Sequence, residues 1–403
     1  MDLVSNSPFW PINDGLIATY PRLDRNATCR VAVLGGGITG ALVAHCLTEA
    51  GIDAIVLDKR DVGTGSTAAS TALLQYEIDT SLADLTEMRG VDQAARAYLA
   101  CRDAINGLQQ LAARLPGDFG FARKKSLYLA SKKKDRKLLR KEWEMRRALG
   151  LEVDWLEEFD IAERFAFRRP AALLSHDAAH VDAYAFAHAL LADAASRGLR
   201  VFDRTDVAAI EPTSVGVTLR TADGCVVRAD KLVFATGYET HAFLEHPVAR
   251  LVSTFAVVSE PHEALNGWGE DRCLIWEHAR PYLYLRTTED GRVIVGGEDE
   301  GFRDPRRRDR LIPRKAERLV ARFRDLFPDI IFEPAFAWAG TFGETDDGLA
   351  YIGEHPDWPH AYFALGYGGN GITFSFLAAE IIRDALLGRR NDSADLFRFN
   401  RCD

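Results

Sequence analysis

The chain has 403 residues, 47% hydrophobic and 27% charged, which is an ordinary globular balance with length for more than one domain. Its 50 Lys and Arg against 59 Asp and Glu give a formal charge of −9, which argues against nucleic acid as a partner, since backbone binding needs clustered positive charge. The six cysteines (Cys29, Cys46, Cys101, Cys225, Cys273 and Cys402) form no C-x-x-C pair, so zinc-ribbon and thioredoxin spacings are excluded and a reducing compartment is expected.

Residues 1–27, rich in Pro, Asn and Asp, read as an irregular arm in which Pro8-Phe9-Trp10 would pin the segment to the body. MDLVSNSPFWP has no basic region followed by an apolar one, so no export signal is expected and the expected location is cytoplasmic. V-A-V-L (31–34) is a buried strand, G-G-G-I-T-G follows, and A-L-V-A-H-C-L-T-E-A carries apolar residues at helical spacing with His45 packed inside. Gly51 stops that helix and A-I-V-L-D (54–58) is a second strand, which completes a βαβ unit. The glycine-rich stretch Val31 to Leu47 is too short and broken for a membrane span.

Residues from about 90 to 165 read as helical, broken near 117 and by a short strand at Ser126–Ala130. The basic runs R-K-K (123–125), K-K-K-D-R-K (132–137) and R-D-P-R-R-R-D-R (303–310) lack interleaved aromatics and read as solvated helix faces. A helix is expected over Asp182–Gly198, a hairpin over 215–237 ending in A-T-G, and a strand-rich region over 251–300. A last helix runs through Thr373–Leu387. No H-E-x-x-H, clustered Cys/His set or acidic calcium loop is present, so no metal is expected.

Gly35, Gly37 and Gly40 form G-x-G-x-x-G between a strand and a helix. That spacing permits a tight turn, close approach of backbone to a pyrophosphate, and helix-on-strand packing. Asp58 ends the second strand 18 residues past Gly40, where a carboxylate can meet a ribose. This points to a dinucleotide and leaves flavin against nicotinamide open. Two further features favour flavin. The small, hydroxyl-rich stretch Gly63-Thr64-Gly65-Ser66-Thr67-Ala68-Ala69-Ser70 offers a second cradle for a diphosphate, and G-Y-G-G-N-G-I-T (366–373) opens the last helix.

These elements, in this order with W-A-G (338–340) and D-D-G-L-A-Y-I-G (346–353), resemble the D-amino-acid oxidase superfamily of FAD-dependent oxidoreductases, which includes glycine oxidase and sarcosine oxidase. The resemblance covers about residues 30–390. It implies an α/β chain: a Rossmann-like FAD-binding domain, discontinuous in sequence (28–100, 180–240 and 340–403), and an α+β substrate domain built on an antiparallel sheet (101–179 and 241–339), preceded by the arm 1–27. It further implies that Gly35, Gly37, Ile38, Thr39 and Gly40 hold the pyrophosphate, Asp58 the adenosine ribose, and Lys59 or Arg60 the adenine side. Gly65, Ser66, Thr67 and Thr71 would meet the phosphates and ribityl chain. Val207, Thr236, Gly237 and Gly340 would add cofactor contacts, and Gly368, Gly369, Asn370, Gly371 and Ile372 would lie along the flavin pyrimidine edge. The implied activity is oxidation of a C–N bond of an amine or amino acid. The alternatives are C–O oxidation of a hydroxy acid, which would need a general base, typically His, or a flavin-binding protein without catalysis.

The chain departs from relatives at defined places. Where some attach FAD covalently, it carries Ala339 and Ala69, so non-covalent FAD is expected. A lysine that sarcosine oxidase uses with oxygen is matched by Ile294, so the electron acceptor is oxygen or another oxidant. The arginine that grips the substrate carboxylate in glycine oxidase is matched by Phe342, while its partner tyrosine is kept as Tyr282. Glu298, on the strand ending V-G-G-E-D-E, is expected beside Tyr282 and Tyr284. Tyr282, Glu298 and Phe342 thus become the expected substrate-side residues, suited to a secondary or larger amine whose remote acid group Arg286 or another Arg could meet. The competing reading of Glu298-Asp299-Glu300 is a solvated hairpin end. Tyr76 and Glu77, after the flavin loop, suit packing as well as catalysis.

Overall fold

The computed structural model describes residues 4–5, 7–302 and 304–401; Arg303, at the head of the last basic run, and Cys402 lie outside them. Two sheets organise the chain. In the eight-stranded sheet, Trp358–Leu365, Val226–Phe234, Ala27–Leu34, Ala54–Leu57 and Arg200–Phe202 run parallel in that order. Their near-continuous apolar runs follow from coverage on both sides. Val31 and Val33 face the helices Ile38–Glu49, Ala183–Ser196 and Gly371–Leu386, whereas Ala32 and Leu34 face the antiparallel strands Val207–Pro212 and Val217–Thr221. His45 is buried on the first helix and bonds Asp193 at 2.9 Å.

The ten-stranded sheet is antiparallel except where Leu274–Glu277 pairs parallel with Ala122–Leu129. One face is sealed by the helix Pro305–Leu326, whose Leu319 and Phe323 pack with Phe255, Val257, Leu283, Leu285, Val293 and Val295. Asp304 caps this helix by accepting from the Arg307 amide at 2.8 Å, and Pro305 stands in its first turn. Toward the other face, Phe9 and Trp10 of the arm pack among Ala256, Val258, Ile294 and Trp338. The arm is further tied by Trp10 Nε1 donating to Ser70 O at 2.7 Å.

Several boundaries fall differently from expectation. The division at residue 100 would cut the continuous helix Val91–Ala112, which packs in the same core as Gly371–Leu386. The division at 340 would cut the strand Pro334–Glu344, and Leu73–Gln75 pairs into the larger sheet. Val153–Glu157 is a strand and not helix, because V-D-W-L-E alternates burial against Ala171–His180. The run 303–310 is not only a solvated face, since Arg308 is buried. Nor is the run 132–137 free of aromatics in space: Arg136 lies 5.5 Å from the Trp155 ring centroid.

Tyr76 and Glu77 belong to a buried polar network. Arg146 donates to Glu142 at 2.8 Å and to Glu77 at 3.2 Å, and Glu77 also accepts from Ser175 at 2.5 Å. Glu142 in turn accepts from the amides of Leu82 and Ala83 at 3.0 and 3.1 Å, which anchors the start of the helix Leu82–Arg89. Removing the one cation leaves two carboxylates buried together, so Arg146→Ala should destabilise the protein by about 3–5 kcal/mol. A lowered thermal midpoint would show this, and an unchanged midpoint would contradict it.

Candidate active site

A cleft of ≈ 880 Å³ runs between the two sheets, at the upper end of the range for small-molecule sites. One wall is the end of Ala27–Leu34 and the start of Ile38–Glu49. A Cβ at Gly40 would collide with the Gly35 carbonyl, and Gly35 runs at φ 107°, so strand and helix meet here only through glycine. Gly40 therefore packs behind the cleft, whereas Gly35, Gly37, Ile38 and Thr39 line it. Thr67 accepts from the Ile38 amide at 2.9 Å, which holds the short helix Ser66–Ala69 against the first one. Opposite, Gly371–Leu386 opens into the same cleft, and Thr39 Oγ1 and Ser375 Oγ join the two helices at 2.7 Å.

Asp58 stands at one end. Its oxygens accept from Gly36 at 2.7 Å and Arg60 at 2.8 Å, and burial raises its pKa from the ordinary value. Lys59 and Arg60 line the mouth and share Glu239 at 2.7 and 3.0 Å, a partner the sequence reading missed. Gly65, Ser66, Thr67, Thr71, Val207, Thr236 and Gly237 all line the cleft. At the far end Gly368, Gly369, Asn370, Gly371 and Ile372 do so too. Asn370 donates to Gln75 O at 3.0 Å and Glu77 O at 2.9 Å, and Asp79 accepts from Gly369 at 2.7 Å, fixing that turn.

Beyond Gly340 the cleft is walled by Trp276, Tyr282, Leu283, Tyr284, Thr254, Phe342 and Asp299. Glu298 is absent from this wall. It points to the arginine-rich helix, where Lys315, Arg318 and Arg322 hold its carboxylate at 3.5, 3.4 and 3.3 Å. The cause is a β-bulge: Phe255 pairs with Gly297 and Ser253 with Glu300, so Thr254 alone opposes Glu298 and Asp299. Gly297 at φ 128° and Glu298 at φ 56° make the extra residue. Strict alternation would carry Ile294, Gly296 and Glu298 on the cleft side. The bulge reverses it and delivers Asp299 instead.

Arg286 is likewise not available to a substrate. It is buried and donates to the carbonyls of Thr71, Ala72 and Val181 at 3.1, 3.1 and 2.8 Å, supporting the flavin loop from behind. Ile294 packs under the arm and Ala339 in the apolar core below the arginine-rich helix, both off the cleft wall. Ala69 does line it. The residues missed from sequence, Asp299, Asp79, Thr254 and Trp276, carried one signal. A Gly-Gly pair inside a strand marks a bulge.

The cleft fits a flavin dinucleotide. Two helix N-termini direct their positive dipole ends into it, suited to anionic groups at separate points, and a Cβ at Gly37, which lines the cleft, would approach Thr67 Oγ1 to 2.9 Å. Fold and site thus define a dinucleotide-dependent oxidoreductase. The FAD dependent oxidoreductase family model, DAO, matches residues 30–385, and the chain belongs to that family. It is 27% identical over 390 residues to a glycine oxidase of Geobacillus kaustophilus (strain HTA426), covering 92% of this chain and 96% of that one. It is 26% identical over 392 residues to the gamma-glutamylputrescine oxidoreductase of Escherichia coli (strain K12), covering 95% and 89%. The crystal structure of glycine oxidase from Geobacillus kaustophilus superposes with a TM-score of 0.78 at 24% identity, covering 91% of this chain and 96% of that chain. The cofactor is FAD, and among the described residues no helix is long and apolar enough to cross a membrane.

Gly37→Val should yield protein without bound FAD, measured by visible absorbance. Asp58→Ala should weaken FAD by about 1.5–3 kcal/mol, or roughly 10- to 150-fold in Kd. Variants as yellow as the parent would contradict these assignments.

Proposed function

We propose that this FAD-dependent enzyme, which oxidises the C–N bond of an amine or amino acid, prefers a secondary or larger amine over a small amino acid. One observation carries the reading. Among the described residues, the cations lining the cleft are Lys59 and Arg60 at the Asp58 end; near the substrate end Arg280 lines only the adjoining chamber and lies over the Tyr282 ring. Phe342, which the resemblance matches to the carboxylate-gripping arginine of glycine oxidase, lines the cleft, and an apolar ring leaves a small carboxylate desolvated and unpaired. Tyr282, Tyr284 and Trp276 offer aromatic faces to a cation or an extended carbon chain. One relative is named for gamma-glutamylputrescine, an amine longer than glycine. Among the described residues no histidine lines the cleft, which favours C–N over C–O chemistry.

Bound FAD supplies the two-electron acceptor, and oxygen or another oxidant takes the electrons onward. The protein's part is placement. The aromatic wall excludes water, Asn370 and Asp79 hold the turn before Gly371–Leu386, and that helix would present its positive end to bound FAD. Cofactor attachment is non-covalent on this reading, because among the described residues neither Cys nor His lines the cleft. Denatured protein should therefore release all its FAD to the supernatant; a flavin adduct in the mass spectrum would contradict this.

Anaerobic mixing should bleach the flavin faster with extended or aromatic amines than with glycine, sarcosine or D-alanine. The reverse order would overturn the substrate reading. Phe342→Arg should raise kcat/KM for glycine relative to benzylamine by at least about tenfold, which is the effect of some 1.4 kcal/mol. An unchanged ratio would show that this position does not select the substrate.

A further inference from the structure

We propose that Asp299 recognises the substrate as an ammonium ion and takes a proton from its nitrogen, an inference that rests on the amine reading above. The bulge turns this carboxylate into the substrate end of the cleft, where Oδ1 is buried without a hydrogen-bond partner. A buried carboxylate oxygen with no donor is costly, and a ligand N–H is the group that would satisfy it.

Three other acids that line the cleft have partners of their own. Asp58 holds the loop at the opposite end, and Asp79 holds Gly369. Glu77 also has an unpartnered oxygen, but its charge is met by Arg146. Asp299 has the hydroxyl of Thr254 beside it, with Tyr284 and Tyr282 close by. The charged groups that act on it are Asp79, Glu344 and Arg280. Arg280 lies over the Tyr282 ring at 3.2 Å from its centroid and lines a smaller adjoining chamber with Asp79 and Glu344. Burial first, then the neighbouring acids, raise the Asp299 pKa to about 6, a value at which a carboxylate is ionised at neutral pH yet more basic than usual.

The step balances within the family chemistry. An N–H bond of the bound ammonium breaks and an O–H bond forms on Asp299, with the N–H electron pair left on nitrogen. The resulting neutral amine is the form whose C–H hydrogen and electron pair pass to FAD, giving the protonated imine.

The test uses the FAD-loaded protein, its Asp299→Asn variant, and benzyltrimethylammonium, a cation that can lose no N–H proton. Binding is read as a perturbation of the visible flavin spectrum. Wild type should bind the probe about tenfold more weakly at pH 5 than at pH 8, because Asp299 is then mostly protonated. The Asn variant should bind at least about tenfold more weakly than wild type at pH 8, with no dependence on pH. With the fastest amine of the bleaching panel, the rise of kcat/KM with pH near 6 should be present in wild type and absent from the variant. Unaltered probe binding in the variant, pH-independent binding in wild type, or no probe binding by wild type would overturn the proposal. Small amino acids bleaching fastest while probe binding still depends on Asp299 would instead overturn only the preference for larger amines.

Discussion

The meeting of two helix N-termini at one cleft is the constraint on which this structure depends. Ile38–Glu49 and Gly371–Leu386 are far apart in sequence, yet Thr39 and Ser375 join them by a side-chain hydrogen bond of 2.7 Å. Both helices must start at the carboxyl end of the parallel strands so that unpaired amides face the ligand, which is where open α/β sheets bind. The glycines at 35 and 40 allow the first helix to come that close. The turn 368–370, held by Asp79 and by the carbonyls of Gln75 and Glu77, sets the second. A segment of the larger sheet thereby fixes the geometry of the smaller one, and the two cannot be treated as independent bodies at the site.

The larger sheet divides its labour by face. One face is apolar and sealed by Pro305–Leu326, and the other supplies Thr254, Tyr284, Gly340 and Phe342 to the cleft and Ala256, Ile294 and Trp338 to the arm and flavin loop. Charge is partitioned in the same way. Glu298 and its three cationic partners stay on the helix side, while among the described residues the cleft side keeps an acid and aromatic rings, and the cations that line it lie at the Asp58 end. Arg286 is the exception by position only, since backbone carbonyls take its donors and burial lowers its pKa to about 9.

Much of this was legible in the residues. G-x-G-x-x-G, Asp58, the small-residue loop and G-Y-G-G-N-G each announce themselves by local spacing, because each is a piece of backbone that approaches a ligand closely. What was not legible depends on long-range pairing. Period-two reasoning puts Glu298 in the cleft, and only the register against Ser253 and Phe255 shows the bulge that exchanges it for Asp299. Trp155 beneath Arg140, Glu239 against Lys59 and Arg60, and Arg146 between Glu77 and Glu142 are likewise partners from distant segments. Of the helix Pro305–Leu326 only the basic start was read, because its basic residues mask the spacing of Ile312, Leu319, Phe323 and Leu326.

The central claim is that the substrate end of the cleft is built for an ammonium ion and not for a carboxylate. A crystal structure of the FAD-loaded protein with a bulky amine or its unreactive analogue bound tests this most directly. The account predicts the ligand nitrogen at about 2.8–3.0 Å from the Asp299 carboxylate, its carbon chain against Tyr284 and Phe342, and Glu298 still on the arginine-rich helix. A ligand nitrogen remote from Asp299, or a ligand carboxylate gripped by an arginine turned into the cleft, would contradict it.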